Sequence, residues 1–216
     1  MTTSNLTPFW RIVFKQAWFA YCADSMPIGC AIFDEDEILV SVGRNSIYDN
    51  WGTNPVQLHQ LGHAEINALL KVSKHKYPNL ASFTMFCSLE PCVMCIGAFA
   101  MSRIKKNLQY ASADLVAGGK DLLKHSNYIE EKGLNVYGPD KKFQFLQIAL
   151  LVEFVQHKRP GEVNVLFPQW RQTDSAAVDL GIRWFRDGSL IKLKKGYIAK
   201  DMSYDEIFDE LFRNKC

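Results

Sequence analysis

One imidazole, two thiols and one carboxylate form the most informative pattern in this chain. The segment His63-Ala64-Glu65 is followed by Pro91-Cys92-Val93-Met94-Cys95. Zinc binds imidazole nitrogens and thiolates, and catalytic zinc sites typically use three protein ligands and leave a fourth position to water, whereas structural sites use four. The pattern therefore predicts a catalytic zinc site formed by His63, Cys92 and Cys95.

The spacing of these residues also predicts where they lie on secondary structure. Cys92 and Cys95 are three residues apart, which places both sulfurs on one face of a helix, and Pro91 suits a first helical turn. The N-terminal end of a helix carries partial positive charge, which lowers the pKa of a thiol and favours the thiolate that zinc requires. His63 precedes an apolar pattern of helical period beginning at Ile66. We therefore expect two helix N-termini to face one metal.

Glu65 is the one member of the pattern that is not needed as a ligand. Zinc lowers the pKa of a bound water towards ~7, which favours hydroxide as a nucleophile. The combination resembles the signature of the zinc-dependent deaminases, in which attack of hydroxide on an amino-bearing ring carbon requires one proton for the adjacent ring nitrogen and another for the departing ammonia. A carboxylate that does not bind the metal can carry both protons, so we predict that Glu65 is the catalytic acid and base.

Two other interpretations of the cysteines are a redox pair and half of a structural zinc site. A structural site needs a fourth ligand, for which the candidates are Cys87, His59 and His75. Cys87 lies in an apolar run that is typical of a buried strand, so packing explains it more simply. We expect both histidines to be ordinary surface or loop residues.

Composition is that of a globular protein with one buried core. The chain has 216 residues, of which 48% are hydrophobic and 22% charged. No run approaches the ~20 apolar residues of a membrane span, and residues 1–5 lack the features of a signal peptide, so we expect a cytoplasmic protein with no membrane contact. The remaining cysteines show no disulfide spacing, and Cys22 and Cys30 are predicted to be core thiols.

Strands and helices alternate over most of the chain. Strands are predicted at residues 28–33, 38–42, 83–88, 108–111 and 134–137, and helices at 9–23, 64–73, 92–101, 121–132 and 143–158. The alternation implies parallel pairing from the third strand onward, after an antiparallel opening hairpin. We expect a mixed five-stranded sheet with helices on both faces, and a loop over residues 46–62 that leads to the metal.

The chain changes in character after residue 158. Residues 159–216 are predicted to form short strands around 163–166, a hairpin with its turn at Asp187-Gly188, and an amphipathic helix that begins near Ser203 as N-cap. Residues 183–200 carry six basic residues and one acidic residue. Such a stretch is compatible with nucleic-acid contact. It is more typical of a half-exposed hairpin whose charges pair with the acidic residues that follow, and this is the interpretation that we favour.

The first part of the chain resembles the cytidine deaminase-like superfamily, and within it the bacterial tRNA adenosine deaminases and related nucleobase deaminases. The resemblance spans about residues 9–158 and is carried by Met26-Pro27-Ile28-Gly29-Cys30-Ala31, Gly43-Arg44-Asn45, His63-Ala64-Glu65-Ile66-Asn67-Ala68, Ser88-Leu89-Glu90-Pro91-Cys92-Val93-Met94-Cys95-Ile96-Gly97-Ala98 and Ser102-Arg103-Ile104. It implies an α/β fold of three layers, with residues 1–158 as a zinc-dependent deaminase domain and 159–216 as a C-terminal extension of unknown role.

The resemblance also implies roles for single residues. It places zinc on His63, Cys92 and Cys95, the proton transfers on Glu65, and the substrate beside Asn45, Ala64 and Pro91. It further implies a homodimer, which the apolar helix after Cys95 allows.

The expected function is hydrolytic deamination of a nucleobase, with adenosine in tRNA as the substrate most resembled. The long loop before His63 and the unmatched extension leave open the alternative of a free nucleobase, nucleoside or nucleotide of the guanine, adenine or cytosine type. A non-catalytic RNA-binding module stabilised by zinc is a third hypothesis, and Glu65 argues against it because a structural site needs no such carboxylate.

Overall fold

A mixed five-stranded sheet forms the centre of the protein in a computed structural model, which describes residues 8–49, 52–104 and 107–213. The strands are β1 (Gly29–Phe33), β2 (Leu39–Arg44), β3 (Thr84–Leu89), β4 (Asn107–Ser112) and β5 (Val136–Tyr137), in the order β2-β1-β3-β4-β5. β1 pairs antiparallel with β2 and β3, whereas β3–β4 and β4–β5 are parallel. The predicted sheet and its parallel half are confirmed.

Helices cover both faces of this sheet. They are α1 (Pro8–Cys22), α2 (Ala64–Leu69), α3 (Val93–Met101), α4 (Leu122–His125), α5 (Asn127–Glu130) and α6 (Lys141–Lys158). Two glycines show which helix lies on which face. A Cβ on Gly29 would lie 2.1 Å from the carbonyl of Val13 in α1, and one on Gly43 would lie 2.0 Å from that of Ala64 in α2. Because Gly43 pairs with Cys30, the neighbour of Gly29, the two glycines point to opposite faces.

Several elements are shorter than the sequence predicts. α2 ends at Leu69 instead of residue 73, and β5 has only two residues. The helix predicted over residues 121–132 is split into α4 and α5, because the backbone of Ser126 is extended, with φ −132° and ψ 108°.

The predicted strands and hairpin of the extension are wrong, because it is entirely helical within the described residues. It contains α7 (Val163–Asp187), α8 (Ser189–Ile198) and α9 (Tyr204–Arg213). Gly188 has a left-handed backbone (φ 67°) that ends α7, so Asp187-Gly188 is a helix terminus instead of a hairpin turn. α7 is kinked at Asp174, whose carboxylate accepts a hydrogen bond from the backbone N–H of Ala177 and so caps the second half.

The prediction of an amphipathic last helix is confirmed. Ser203 precedes α9, and its hydroxyl accepts a hydrogen bond from the N–H of Glu206, whose carboxylate in turn accepts from the backbone N–H of Ser203. This reciprocal pair is a capping box, which satisfies two N–H groups that the first helical turn leaves unpaired.

The extension adds a further layer outside α1 and α6. α7 packs along α6, where Gly181 lies against Ala149 and Val152. The later helices pack on α1: the ring of Phe208 lies 6.2 Å from that of Phe14, and the hydroxyl of Tyr204 donates to the carbonyl of Arg11. The face of the sheet that carries α2 and α3 lies on the other side. Within the described ranges, no helix combines the length and the apolar character needed to cross a membrane.

Candidate metal and active site

The three predicted ligands come together at the N-termini of α2 and α3. His63 is the N-cap residue of α2 and Cys92 is that of α3, while Cys95 lies in the first turn of α3. Because α3 begins at Val93, Pro91 lies two residues before the helix instead of in its first turn, where we predicted it. The predicted convergence of two helix starts is observed, and their positive ends stabilise negative charge between them.

The distances among the ligand atoms fit one tetrahedral zinc ion. The Sγ atoms of Cys92 and Cys95 are 3.6 Å apart, and the Nδ1 atom of His63 lies 3.7 Å from the first and 3.6 Å from the second. Zinc bonds of about 2.3 Å to sulfur and about 2.0 Å to nitrogen, at tetrahedral angles, give sulfur–sulfur separations of roughly 3.8 Å and nitrogen–sulfur separations of roughly 3.5 Å. The donor set and its geometry therefore suit zinc with one position left open.

No fourth ligand joins this cluster among the residues that the structure describes. Cys87 is fully buried in β3, and its sulfur lies 3.7 Å from that of Cys30, so it is a core residue. His59 and His75 are exposed, and His59 uses its Nδ1 atom to accept the N–H of Leu61. The structure thus favours core packing for Cys87 and a surface position for both histidines.

The two thiols differ in acidity before any metal binds. Hydrogen bonds from the Cys95 thiol and from His63 lower the pKa of Cys92 to about 4, against the effect of burial. The hydrogen bond with Cys92 and burial both raise the pKa of Cys95. Because zinc binds thiolates, binding of the ion must release the proton of the Cys95 thiol.

Glu65 lies beside the cluster without belonging to it. It is the second residue of α2 and only 3% exposed. Burial raises the pKa of Glu65 above its usual value, while the neighbouring His63 partly opposes the shift. A carboxyl group with a raised pKa exchanges protons more readily near neutral pH, which suits a proton carrier.

Asn45 follows β2 and is held in one orientation by its neighbours. It is 1% exposed, and its Oδ1 atom accepts hydrogen bonds from the Ser25 hydroxyl at 2.8 Å and from the N–H of Ile47 at 3.2 Å. Because the oxygen is engaged, the amide nitrogen Nδ2 is the group left to a ligand; it makes no hydrogen bond within the described part of the chain. Asn45 is thus arranged as a donor.

Ala64 and Pro91 contribute backbone to the same region. Ala64 is fully buried at the first position of α2, where an N–H group has no acceptor inside the helix. Pro91 is buried, and its carbonyl accepts the N–H of Gly119 at 2.8 Å. The carboxylate of Glu90 accepts the N–H groups of Asp114 and Lys120, so the loop after β4 is fixed against Cys92.

Asn67 has a role that we did not predict from the sequence. Its amide nitrogen donates to the carbonyl of Arg44 and to the hydroxyl of Ser46, and its Oδ1 atom accepts the N–H of Val56. The hydroxyl of Ser46 in turn donates to the carbonyl of Val56. These bonds tie the described part of the long loop to α2. The polar Asn67 inside an apolar helical pattern was the signal available in the sequence.

A buried ion pair fixes the start of the same loop. Arg44 contacts the two carboxylate oxygens of Asp49 at 2.6 and 2.9 Å, a bidentate arrangement. Further along, the ring of Tyr48 stacks on that of Phe154 in α6 with centroids 6.4 Å apart. The loop that carries Asn45 is therefore held at several points. Trp51, in the loop predicted to lead to the metal, lies outside the described residues.

The sequence matches the family described as the cytidine and deoxycytidylate deaminase zinc-binding region over residues 3–111, just over half of the chain. The chain belongs to this family. The match includes His63, Cys92 and Cys95, which the fold brings together.

Individual relatives align with about half of the chain, at about one third identity. The chain is 33% identical over 105 residues to a tRNA-specific adenosine deaminase of Buchnera aphidicola, covering 48% of this chain and 64% of the relative. It is 35% identical over 109 residues to the enzyme of the same name from Haemophilus influenzae, covering 50% and 58%. The matched region thus spans about three fifths of the length of these curated relatives.

Alignments with solved structures cover about two thirds of this chain, more than the sequence alignments with the curated relatives. The guanine deaminase from Nitrosomonas europaea aligns with a TM-score of 0.51 and 25% identity over 68% of this chain and 84% of that one. A structure described as a complex with 2,6-diaminopurine aligns with a TM-score of 0.52, also at 25% identity, over 70% and 83%.

Proposed function

We propose that this protein is a zinc-dependent hydrolytic deaminase that exchanges the exocyclic amino group of a nucleobase for oxygen and releases ammonia. The observation that carries the proposal is the combination of three ligand atoms at tetrahedral spacing with a buried carboxylate, Glu65, that is not one of them. A structural site has no use for such a carboxylate, and this argues against a non-catalytic module.

The residues of the site divide the chemistry among them. His63, Cys92 and Cys95 would hold zinc, and the bound ion would supply the Lewis acidity that makes water a better nucleophile. Glu65 takes the proton released by that water and delivers it to the ring nitrogen, and a second proton transfer lets ammonia leave. Asn45 donates from Nδ2 to an acceptor on the base, and the N–H of Ala64 offers a further donor. Base and water become the oxo base and ammonia.

A purine within RNA is the substrate class that we propose. The curated relatives are named for adenosine in tRNA, and the solved structures at 25% identity are described with guanine deamination and with a purine ligand. A free purine base is the alternative, favoured by the structural alignment covering more of this chain.

The first test is ammonia release from adenosine, adenine, guanine, cytosine, cytidine and a tRNA transcript, by protein loaded with one zinc per chain. We expect turnover of at least one purine substrate, and loss of turnover after the metal is removed by a chelator. Equal rates before and after verified zinc removal contradict the proposal. Absence of ammonia from the whole series by the zinc-loaded protein contradicts it as well.

The helical extension changes the basic surface that RNA would contact. Lys194 is not part of a free surface, because it is mostly buried and pairs with Asp24. Exposed basic side chains remain at both ends of α8 and at the end of α7: Arg183, Arg186, Lys192, Lys195 and Lys200. Two of the acidic residues that follow pair elsewhere, since Asp205 contacts Arg11 and Glu210 contacts Arg213.

We expect the double variant Lys192→Glu, Lys195→Glu to weaken tRNA deamination while sparing free bases. Each phosphate contact to single-stranded RNA contributes about 0.7 to the slope of log affinity against log salt concentration. The variant should therefore show a shallower salt dependence of KM for the tRNA transcript. The matched control is Lys74→Glu, Lys141→Glu, which changes the net charge equally at exposed positions outside the extension. Salt-insensitive activity confined to a free base excludes RNA as substrate.

Three further parts of the proposal concern the whole protein. We propose a cytoplasmic enzyme, with residues 1–158 as the deaminase domain and 159–216 as an extension. We also propose a homodimer through the α3 face. Val93 and Met101 of α3 are 60% and 67% exposed, and Leu115 and Val116 of the loop after β4 are also exposed. The extension lies on the opposite side of the sheet, so these apolar side chains remain exposed. Exposed apolar patches often mark protein interfaces, and this patch therefore supports the dimer.

A further inference from the structure

We propose that Lys194, in the C-terminal extension, is a positioning residue for Asn45, acting through Asp24 and Ser25 at the end of α1. The proposal rests on the proposed function only for what Asn45 does, namely hold the base. It gives the extension a role in the deaminase site that the sequence resemblance does not assign.

Lys194 reaches from α8 to the C-terminal end of α1. Its side chain is 14% exposed, and its Nζ atom lies 3.1 Å from a carboxylate oxygen of Asp24. The same Nζ donates to the backbone carbonyl of Tyr21 at 3.2 Å. Carbonyls in the last turn of a helix lack partners within the helix, and a lysine is well suited to satisfy one of them. Lys194 thus contacts both the helix end and the residue that follows it.

Asp24 forms the turn that leads from α1 towards the site. Its backbone is left-handed, with φ 59°, a conformation that aspartate and asparagine tolerate better than most residues other than glycine. The N–H of the next residue, Ser25, returns to the carbonyl of Ala20 at 2.9 Å. Lys158 of α6 also contacts the Asp24 carboxylate, at 2.8 Å, but it is 43% exposed. The less exposed Lys194 is therefore the more rigid of the two partners that hold this turn.

The turn places the hydroxyl of Ser25, and that hydroxyl orients Asn45. Ser25 is fully buried; it donates to Oδ1 of Asn45 at 2.8 Å and accepts the N–H of Tyr48 at 3.3 Å. An asparagine amide can rotate by half a turn and exchange its oxygen for its nitrogen, and only its hydrogen bonds decide which one faces the ligand. With the Ser25 hydroxyl displaced, Asn45 loses a partner that keeps Nδ2 towards the base.

The test compares Lys194→Met with Lys74→Met, which removes the same charge at an exposed position outside the extension. We expect Lys194→Met to raise KM for the best substrate roughly three- to tenfold, the loss expected of one neutral hydrogen bond. The value of kcat should change much less, because the interaction is made in the ground state as well as in the transition state. Lys194→Arg, which keeps the charge, should restore part of the KM.

A second readout does not depend on activity. The side-chain amide resonances of Asn45, assigned by their disappearance in Asn45→Asp, should shift in Lys194→Met and in Ser25→Ala but not in Lys74→Met. Ser25→Ala leaves the ion pairs intact and so covers the case in which Lys194→Met fails to fold. In the double variant Ser25→Ala, Lys194→Met the effects on KM should not add, since both changes act on one chain of contacts.

The outcomes separate this proposal from the proposed function. If the parent releases no ammonia, the function is wrong, and the Asn45 resonances still decide the coupling. Resonances and KM in Lys194→Met that match those of Lys74→Met overturn the positioning role. The positioning role is overturned as well if Ser25→Ala leaves the Asn45 resonances in place, because Ser25 is the link on which the proposal depends.

Discussion

Replacing Glu65 with Gln should abolish most ammonia release while leaving zinc in place. The substitution preserves size and removes the exchangeable proton of a carboxyl group that is almost fully buried beside the ligand cluster. Loss of a general acid and base typically lowers rate by about 10²–10⁴-fold. We expect kcat to fall by that factor, measured with the substrate turned over fastest by the parent, and elemental analysis to find unchanged zinc.

The informative control is Glu90→Gln, at a second buried carboxylate close to the site. Glu90 accepts backbone N–H groups of Asp114 and Lys120, so its role is to fix a loop. A glutamine oxygen can still accept one of these bonds, and the rate should fall far less than in Glu65→Gln. If Glu65→Gln or Glu65→Ala releases the zinc, Glu65 is a ligand or a structural support. Unchanged turnover in the Glu65 variants shows that protons travel by another route.

The sequence was most informative where the chemistry is encoded locally. His63 and Glu65 are two residues apart, and Cys92 and Cys95 are three apart, so each pair is placed by the start of a single helix. Bringing the two helices together requires only the alternation of strands and helices, which also predicted the parallel pairing of β3 with β4. The ligand cluster and the sheet could therefore be predicted without tertiary information.

The extension shows what local signals leave undecided. Asp187-Gly188 fits a hairpin turn, but glycine with a positive φ also ends helices, and the local sequence is the same in both cases. The buried positions Ala177, Val178, Gly181 and Trp184 follow the period of a helix. That period, taken over the longer segment, favours the helix, whereas the dipeptide alone favours the turn.

Residues that act through distant partners were also missed. Nothing in the sequence distinguished Lys194 from the other basic residues of 183–200, because its contacts with Tyr21 and Asp24 join positions more than 150 residues apart. Asn67 orders the loop before His63 through bonds with Arg44, Ser46 and Val56. Such contacts depend on how the elements pack, and no residue spacing in the chain predicts them.

The second large effect should follow from removal of one metal ligand. We expect Cys92→Ala to bind less than a tenth of the zinc held by the parent, which should hold about one ion per chain. A ligand that binds only the folded state stabilises it by about 4 kcal/mol when present at a thousand times its Kd. For a chain of this size that corresponds to a Tm on the order of 10 °C higher. Thermal unfolding with and without a chelator measures the difference.

Cys87→Ala is the matched control, because Cys87 is a buried cysteine of β3 whose sulfur contacts Cys30 and is not part of the ligand cluster. This variant should lose some stability through the cavity left in the core, yet keep its zinc and its response to the chelator. A chelator should lower the Tm of the parent and of Cys87→Ala but leave that of Cys92→Ala unchanged, because the last has no metal to lose. The opposite pattern, with zinc retained in Cys92→Ala and lost in Cys87→Ala, would mean that the metal is held by other residues and that the tetrahedral cluster of His63, Cys92 and Cys95 is not its site.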